Sequence, residues 1–175
     1  MSAFASECFD QTYGPWCRAA DVDTYIAQFL SPSALLPVLT DPTSWVFAAL
    51  IDDVWVGYAQ VRLASLPDGM IATHTSAPSI TPMEVSRFYV ARKWIGKGVA
   101  QGLLSTIVTH ASLHGAESLW LSVWMENERA VAFYEKSEFE KIGTSTFLMG
   151  EDLQNDFIMQ RVIPRLIIQG DYAQN

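Results

Sequence analysis

Two clusters of residues in this chain could do chemistry. The first lies in the run SRFYVARKWIGKGVAQGLL from Ser86 to Leu104. An apolar, β-type stretch enters a short basic turn. Gly96, Gly98 and Ala100 then alternate with Lys97 and Val99, and a helix follows without a linker. The N–H groups of a first helical turn have no intrahelical acceptor, and the helix dipole favours negative charge there. Glycine lets the backbone approach a bulky phosphate closely. The turn is therefore a candidate anion site. Tight turns and helix packing also use small residues, and spacing alone leaves both readings open. The Lys-Ser/Thr pair of a P-loop is absent, and Gly102 falls one place too late for G-x-G-x-x-G. The second cluster is Asn127 to Lys136, where Asn127 and Tyr134 are seven apart and share a helix face. Taken alone, this pair reads as an N-cap and a core aromatic with a wet hydroxyl.

The elements that must position these residues can be read from periodicity. Residues 2–13 and 21–39 carry apolar residues at helical spacing, punctuated by Pro15, Pro32 and Pro37. Residues 41–44 form a turn. Strands are predicted over residues 45–51 and 54–63, joined by a hairpin turn at Asp52-Asp53. Residues 64–82 form a long loop, a kind of segment that often carries function. A third strand spans residues 84–90, and an amphipathic helix spans 98–113. A buried strand follows at 118–123, then a short helix over 127–136. A final hairpin pairs residues 139–148 with 157–163. Helices first, then strands interleaved with two helices, give an α/β or α+β fold with a mixed sheet. Residues 1–163 read as one domain and residues 164–175 as a tail.

Bulk properties exclude several classes. At 175 residues the chain can bury a real core, and half of its residues are apolar. A net charge of −8 and a pI near 4.7 argue against a nucleic-acid partner, whose phosphates would be repelled. The same balance suits a cationic substrate, and it also serves solubility. No apolar run reaches the ~18–20 residues of a membrane span, and the N-terminus lacks a basic, apolar leader pattern. Cys8 and Cys17 are nine apart without metal spacing, so no metal site is expected. A reduced, cytoplasmic protein is the simplest expectation.

Taken in order, RKWIGKGVA, SLWLSVW, ENERAVAFYEK and FEKIG resemble the GCN5-related N-acetyltransferases (GNAT). The closing segments FLMG and DFIM, and FDQTYG near the start, are similar to the Pai-type branch, which is linked to polyamine acetylation. The resemblance covers nearly the whole chain. It implies a mostly antiparallel central sheet flanked by helices, with acetyl-CoA as cosubstrate. It places backbone amides of Gly96, Lys97, Gly98, Val99, Ala100 and Gln101 around the coenzyme A pyrophosphate. Phe88, Tyr89 and Val90 would hold the pantetheine arm and acetyl carbonyl through their main chain. Asn127 would bind the pantetheine side, and Tyr134 would protonate the departing thiolate. Two departures stand out. Ile95 occupies a Gln/Arg position of the phosphate turn. The strand that usually precedes the first helix is missing or very short. A missing edge strand exposes a sheet edge and favours a homodimer, with Leu166-Ile167-Ile168 as its surface; packing of that tail on its own sheet is the other reading.

The implied reaction sets requirements that these residue types meet. An amine attacking a thioester needs a fixed donor for the oxyanion, for which the N–H of Val90 is the candidate. The leaving thiolate needs a proton, which a phenol can supply. The incoming ammonium must lose a proton, directly or through water. Glu84 is the first candidate base and Glu126 the second; a solvated strand-end carboxylate is the plain alternative for Glu84. The expected activity is direct acetyl transfer to a primary amine of a small molecule, such as a polyamine. Acetylation of a protein N-terminus or lysine, and a non-catalytic acyl-CoA-binding module, are the competing readings.

Overall fold

The computed structural model describes residues 1–67 and 82–163. The loop expected over residues 64–82 and the tail expected over 164–175 lie largely or wholly outside the described residues. The chain enters with α1 (Ser2–Tyr13), and no strand precedes it among the described residues. The helical segment expected over residues 21–39 is three pieces. These are α2 (Ala19–Tyr25), a π-helical turn (Ile26–Leu30) and α3 (Pro32–Thr40). The break has a local cause: Ser31 leaves the helical backbone region and caps α3 by accepting the Ala34 N–H at 3.3 Å, with Pro32 in the first turn.

Strands β1 (Ser44–Ile51) and β2 (Val54–Leu63) form the expected hairpin. Its two-residue turn puts both Asp52 and Asp53 at positive φ, 49° and 61°, the conformation that matches strand twist. Next come β3 (Met83–Val90), α4 (Val99–Leu113), β4 (Ser118–Trp124), α5 (Glu128–Lys136), β5 (Glu140–Met149) and β6 (Asp152–Val162). The last strand starts five residues before the expected Phe157. Residues 152–156 are mostly polar, so apolar patterning gave no sign of them.

The six strands form one sheet in the order β1-β2-β3-β4-β6-β5. Every neighbour is antiparallel except β3 and β4. One face carries α4 and α5 over Leu104, Ile107, Leu119, Leu121, Val131 and Tyr134. The other carries α1 to α3 over Ala5, Phe9, Val22, Leu30, Leu35 and Tyr58. Each fully buried Leu, Ile or Phe contributes about 1.5–3 kcal/mol. Gly57 on β2 admits α4 closely, since a Cβ there would lie 2.9 Å from Leu103 Cδ1 and 3.1 Å from Val99 Cγ1. On α4, half-buried His110 meets the Trp45 ring edge-on at 4.7 Å, and exposed His114 meets it tilted at 5.0 Å.

Candidate active site

Strands β3 and β4 pair in parallel at only two positions, Met83 with Leu119 and Glu84 with Trp120. Beyond them the ladder ends, so the sheet opens into a wedge between the C-terminal halves of β3 and β4. A β-bulge sits at the start of the wedge. Val61 pairs with Val85 and Gln60 with Arg87, which leaves Ser86 as the extra residue. Bulges re-aim a strand, and they recur beside active sites.

Strand alternation decides which main-chain groups of β3 face the wedge. The Ala91 N–H donates to Val56 O at 2.9 Å, toward β2. Hydrogen-bonded and non-bonded pairs alternate along an antiparallel ladder. The N–H and C=O of Val90 and Phe88 therefore point away from β2, into the opening. Those of Tyr89 point back to β2, so its main chain does not face the wedge with the other two. The side chain of Tyr89 lies on the α1 face and stacks on Tyr58 at 5.6 Å.

The basic turn closes the wide end. A 3₁₀ turn (Arg92–Trp94) leads to Gly96 and Gly98, at φ +76° and +84°. A Cβ on either would meet nothing within 4 Å, so both face open space. Gly98 precedes α4 without a side-chain cap, and the first turn of α4 holds no acidic residue. The amides of Val99, Ala100 and Gln101 thus head an uncapped fifteen-residue helix. Lys97 Nζ lies 4.8 Å from the centre of the Trp94 ring. Ile95 is exposed and offers no polar group.

Tyr134 is buried on α5, with its ring 6.1 Å from Phe88, 5.3 Å from Phe133 and 5.4 Å from Phe139. Its hydroxyl has no hydrogen-bond partner among the described residues. Burial holds its phenol well above the usual range, so it stays protonated at neutral pH. Asn127 caps α5, its Oδ1 accepting the Ala130 N–H at 3.3 Å. The helix thereby fixes both residues, and the side-chain amide of Asn127 has no acceptor among the described residues.

Glu84 is not brought to the wedge. It pairs with Trp120 at the closed end, and its carboxylate holds Arg62 at 2.5 Å. It lies six positions before Val90, about 20 Å along an extended strand. Glu126 is exposed in the turn before α5.

Sequence reasoning passed over the groups that line the α1 side of the wedge. Tyr13 at the end of α1 packs on Trp124 at the end of β4, 5.7 Å apart, and Trp16 reaches Trp124 at 6.5 Å. Phe9 stacks on Tyr25 at 4.2 Å. The Tyr13 phenol is pushed up by burial, then by the negative potential of Asp156, Tyr25, Tyr134 and Cys17. Tyr89 is raised by burial and by Tyr13, Tyr58 and Tyr25, against the opposing Arg87. Arg87 donates to Gln60 Oε1 and, at 3.2 Å, to the Phe29 carbonyl, tying the π-helical turn to the sheet. Asp156 on β6 is 8% exposed and accepts the Ser122 hydroxyl at 2.6 Å. The one available signal was parity: Asp156 alternates in step with Ile158 and Gln160, facing inward.

Residues 6–139 match the Acetyltransferase (GNAT) family. The chain belongs to that family. It is an N-acetyltransferase, and its sheet, open between β3 and β4, is the GNAT fold. An uncharacterized N-acetyltransferase of Mycobacterium tuberculosis (strain ATCC 25618 / H37Rv) is 29% identical over 161 residues, 92% of this chain and 94% of that one. An uncharacterized N-acetyltransferase of Lactobacillus delbrueckii subsp. lactis is 20% identical, covering 92% of this chain and 89% of its own. The fold is Pai-like. The PaiA N-acetyltransferase of Thermoplasma acidophilum, solved in complex with coenzyme A, superposes with a TM-score of 0.71 at 20% identity. That superposition spans 92% of this chain and 89% of that one. Among the described residues no helix is long and apolar enough to cross a membrane, and no group of three or more His, Cys, Asp or Glu is placed to hold a metal.

Proposed function

We propose that this N-acetyltransferase takes acetyl from acetyl-CoA and passes it directly to a primary amine of a small molecule within a ternary complex. The observation that carries the reading is the wedge. Two unpaired main-chain edges lie below an uncapped helix N-terminus, and a buried, protonated phenol stands beside Phe88. The residues suit the cosubstrate. Gly96 and Gly98 leave their open side free for a pyrophosphate, and the amides from Gly96 to Gln101 would hold it. The N–H groups of Val90 and Phe88, together with the Asn127 side chain, would hold the pantetheine arm. The coenzyme A complex of the Thermoplasma relative supports this assignment.

The chemistry then falls to residues of this chain. A β3 amide would bind the carbonyl oxygen as charge develops on it; Val90 is one candidate. The contact of Tyr134 with Phe88 favours Phe88 for this role, since the carbonyl and the leaving sulfur share one carbon. Tyr134 would give its proton to the thiolate. Most of the gain comes from holding both reactants in one cleft. The acidic balance of the chain suits a cationic acceptor, and a polyamine is the first class to try.

Two measurements test the reading. Acetyl-CoA should raise the melting temperature where ATP and NAD do not; equal shifts from all three would overturn the cradle. A thiol-release screen over primary amines should then find turnover, with spermidine-like compounds above neutral amines. Binding of acetyl-CoA without turnover of any amine or peptide would leave a binding module in place of an enzyme.

A further inference from the structure

A carboxylate with no cationic partner among the described residues lies on the side of the wedge opposite α5. Asp156 is nine-tenths buried on β6 and pairs in register with Trp124. The parallel offset set by Met83–Leu119 and Glu84–Trp120 carries Phe88 to the level of Trp124, to within the one-residue bulge at Ser86. Asp156 therefore stands one strand beyond β4, on the α1 face of the sheet, at the level of the gap-facing amides. Glu84 lies four residues below Phe88 and is already paired with Arg62.

The surroundings of Asp156 suit a cation. Its Oδ2 accepts from Ser122, which is itself exposed on the floor of the opening. Its Oδ1 has no partner among the described residues. No cationic side chain pairs with Asp156 among the described residues. Among the described residues, the groups that face it are the Tyr13 phenol of α1, the Ser122 hydroxyl on β4 and Ser145, its register partner on β5. The phenols of Tyr25 and Tyr134 and the Cys17 thiol lie around Tyr13. The rings of Tyr13 and Trp124 wall the approach, and aromatic faces attract ammonium groups.

We propose that Asp156 receives the ammonium group of the acceptor and takes its proton, so that Asp156, not Glu84, is the base of the transfer. The inference rests on the acetyltransfer reading above. One N–H bond of the ammonium breaks and its proton passes to Asp156 Oδ1. The freed lone pair forms the C–N bond as the C–S bond breaks. The thiolate takes the phenol proton of Tyr134, and the second proton shed by nitrogen restores that phenol. Asp156 then releases its proton to water. Burial raises the carboxyl above its usual range against the lowering effect of Ser122, which makes it a better base than an exposed carboxylate.

The experiment uses the full chain and a panel of spermidine, tyramine and a peptide with a free N-terminus, taking the fastest amine forward. Asp156→Asn keeps an oxygen for Ser122 and removes the base. Its kcat/KM for the amine should fall at least ~100-fold near neutral pH and recover toward high pH, where the amine is already neutral. Its Kd for acetyl-CoA should stay within about two-fold. Ser122→Ala leaves the base but strips its hydrogen bond, so the acidic limb of the pH–rate profile should move to higher pH. An Asp156→Asn enzyme within about three-fold of wild type at every pH would overturn the assignment while leaving acetyltransfer intact. If Asp156→Asn does not fold, an unmoved acidic limb in Ser122→Ala overturns it instead. Absence of thiol release by the wild type with every amine would overturn both readings together.

Discussion

Replacing Tyr134 by Phe separates a chemical role from a packing role. The hydroxyl has no hydrogen-bond partner among the described residues, so its loss leaves no buried group unpaired. The ring contacts with Phe88, Phe133 and Phe139 are kept. Stability should therefore change by no more than about 0.5 kcal/mol, or about 1–2 °C in Tm for a chain of this size. Loss of a positioned proton donor costs far more in rate, typically ~10²–10⁴-fold, or about 3–5 kcal/mol in the barrier. Steady-state thiol release with acetyl-CoA and the preferred amine should thus show kcat down by at least ~100-fold, with KM for acetyl-CoA nearly unchanged. The pH dependence adds a second check. Burial keeps the phenol protonated across the assay range, so wild-type kcat should show no alkaline limb below about pH 9.5 that vanishes in Tyr134→Phe. A kcat within about three-fold of wild type, or such a vanishing limb, would refute the argument.

Gly98→Ala should lower Tm by a few degrees, since φ +84° costs a β-carbon about 1–2 kcal/mol. Its Cβ enters the open side of the turn, so calorimetry should show acetyl-CoA bound at least ~10-fold more weakly; an unchanged Kd would place the phosphates elsewhere. Asn127→Ala should cost about 1 kcal/mol through the lost cap, seen as a Tm fall of about 2–4 °C. Asn127→Asp keeps the cap and removes the amide donor, so Tm should hold while KM for acetyl-CoA rises; an unchanged KM would reduce Asn127 to a cap. Burial also raises the phenols of Tyr13, Tyr25, Tyr58, Tyr89 and Tyr134, and pushes the Cys8 thiol up to about 12. Each folded value lies above the unfolded one, so the native state binds more protons and stability is lost as pH rises. Thermal melts should be flat up to about pH 9, then fall, first through Cys8 and steeply beyond about pH 10 through the phenols. A flat Tm to about pH 11 would contradict the burial of these groups.

Local chemistry made much of this protein legible in its sequence. Apolar spacing marks α4 and the β1–β2 hairpin, because helix and strand periods depend only on neighbours along the chain. Gly96 and Gly98 announced a turn with open backbone, and both adopt positive φ. Asn127 was read as a cap and is one. The sequence also carried the family, through the order of its motifs. It could not tell that β3 and β4 pair at only two positions, because parallel pairing joins segments separated by a whole helix. Nor could it tell which β3 amides face the opening, since that depends on the register with β2. Glu84 looked available until folding brought Arg62, 22 residues away, to its carboxylate. Asp156 looked like one more polar residue near a hairpin until α1 and β4 closed around it with Tyr13 and Trp124. Charge neutralisation and desolvation are properties of neighbours in space. They settle which carboxylate is free for chemistry only once the sheet has formed.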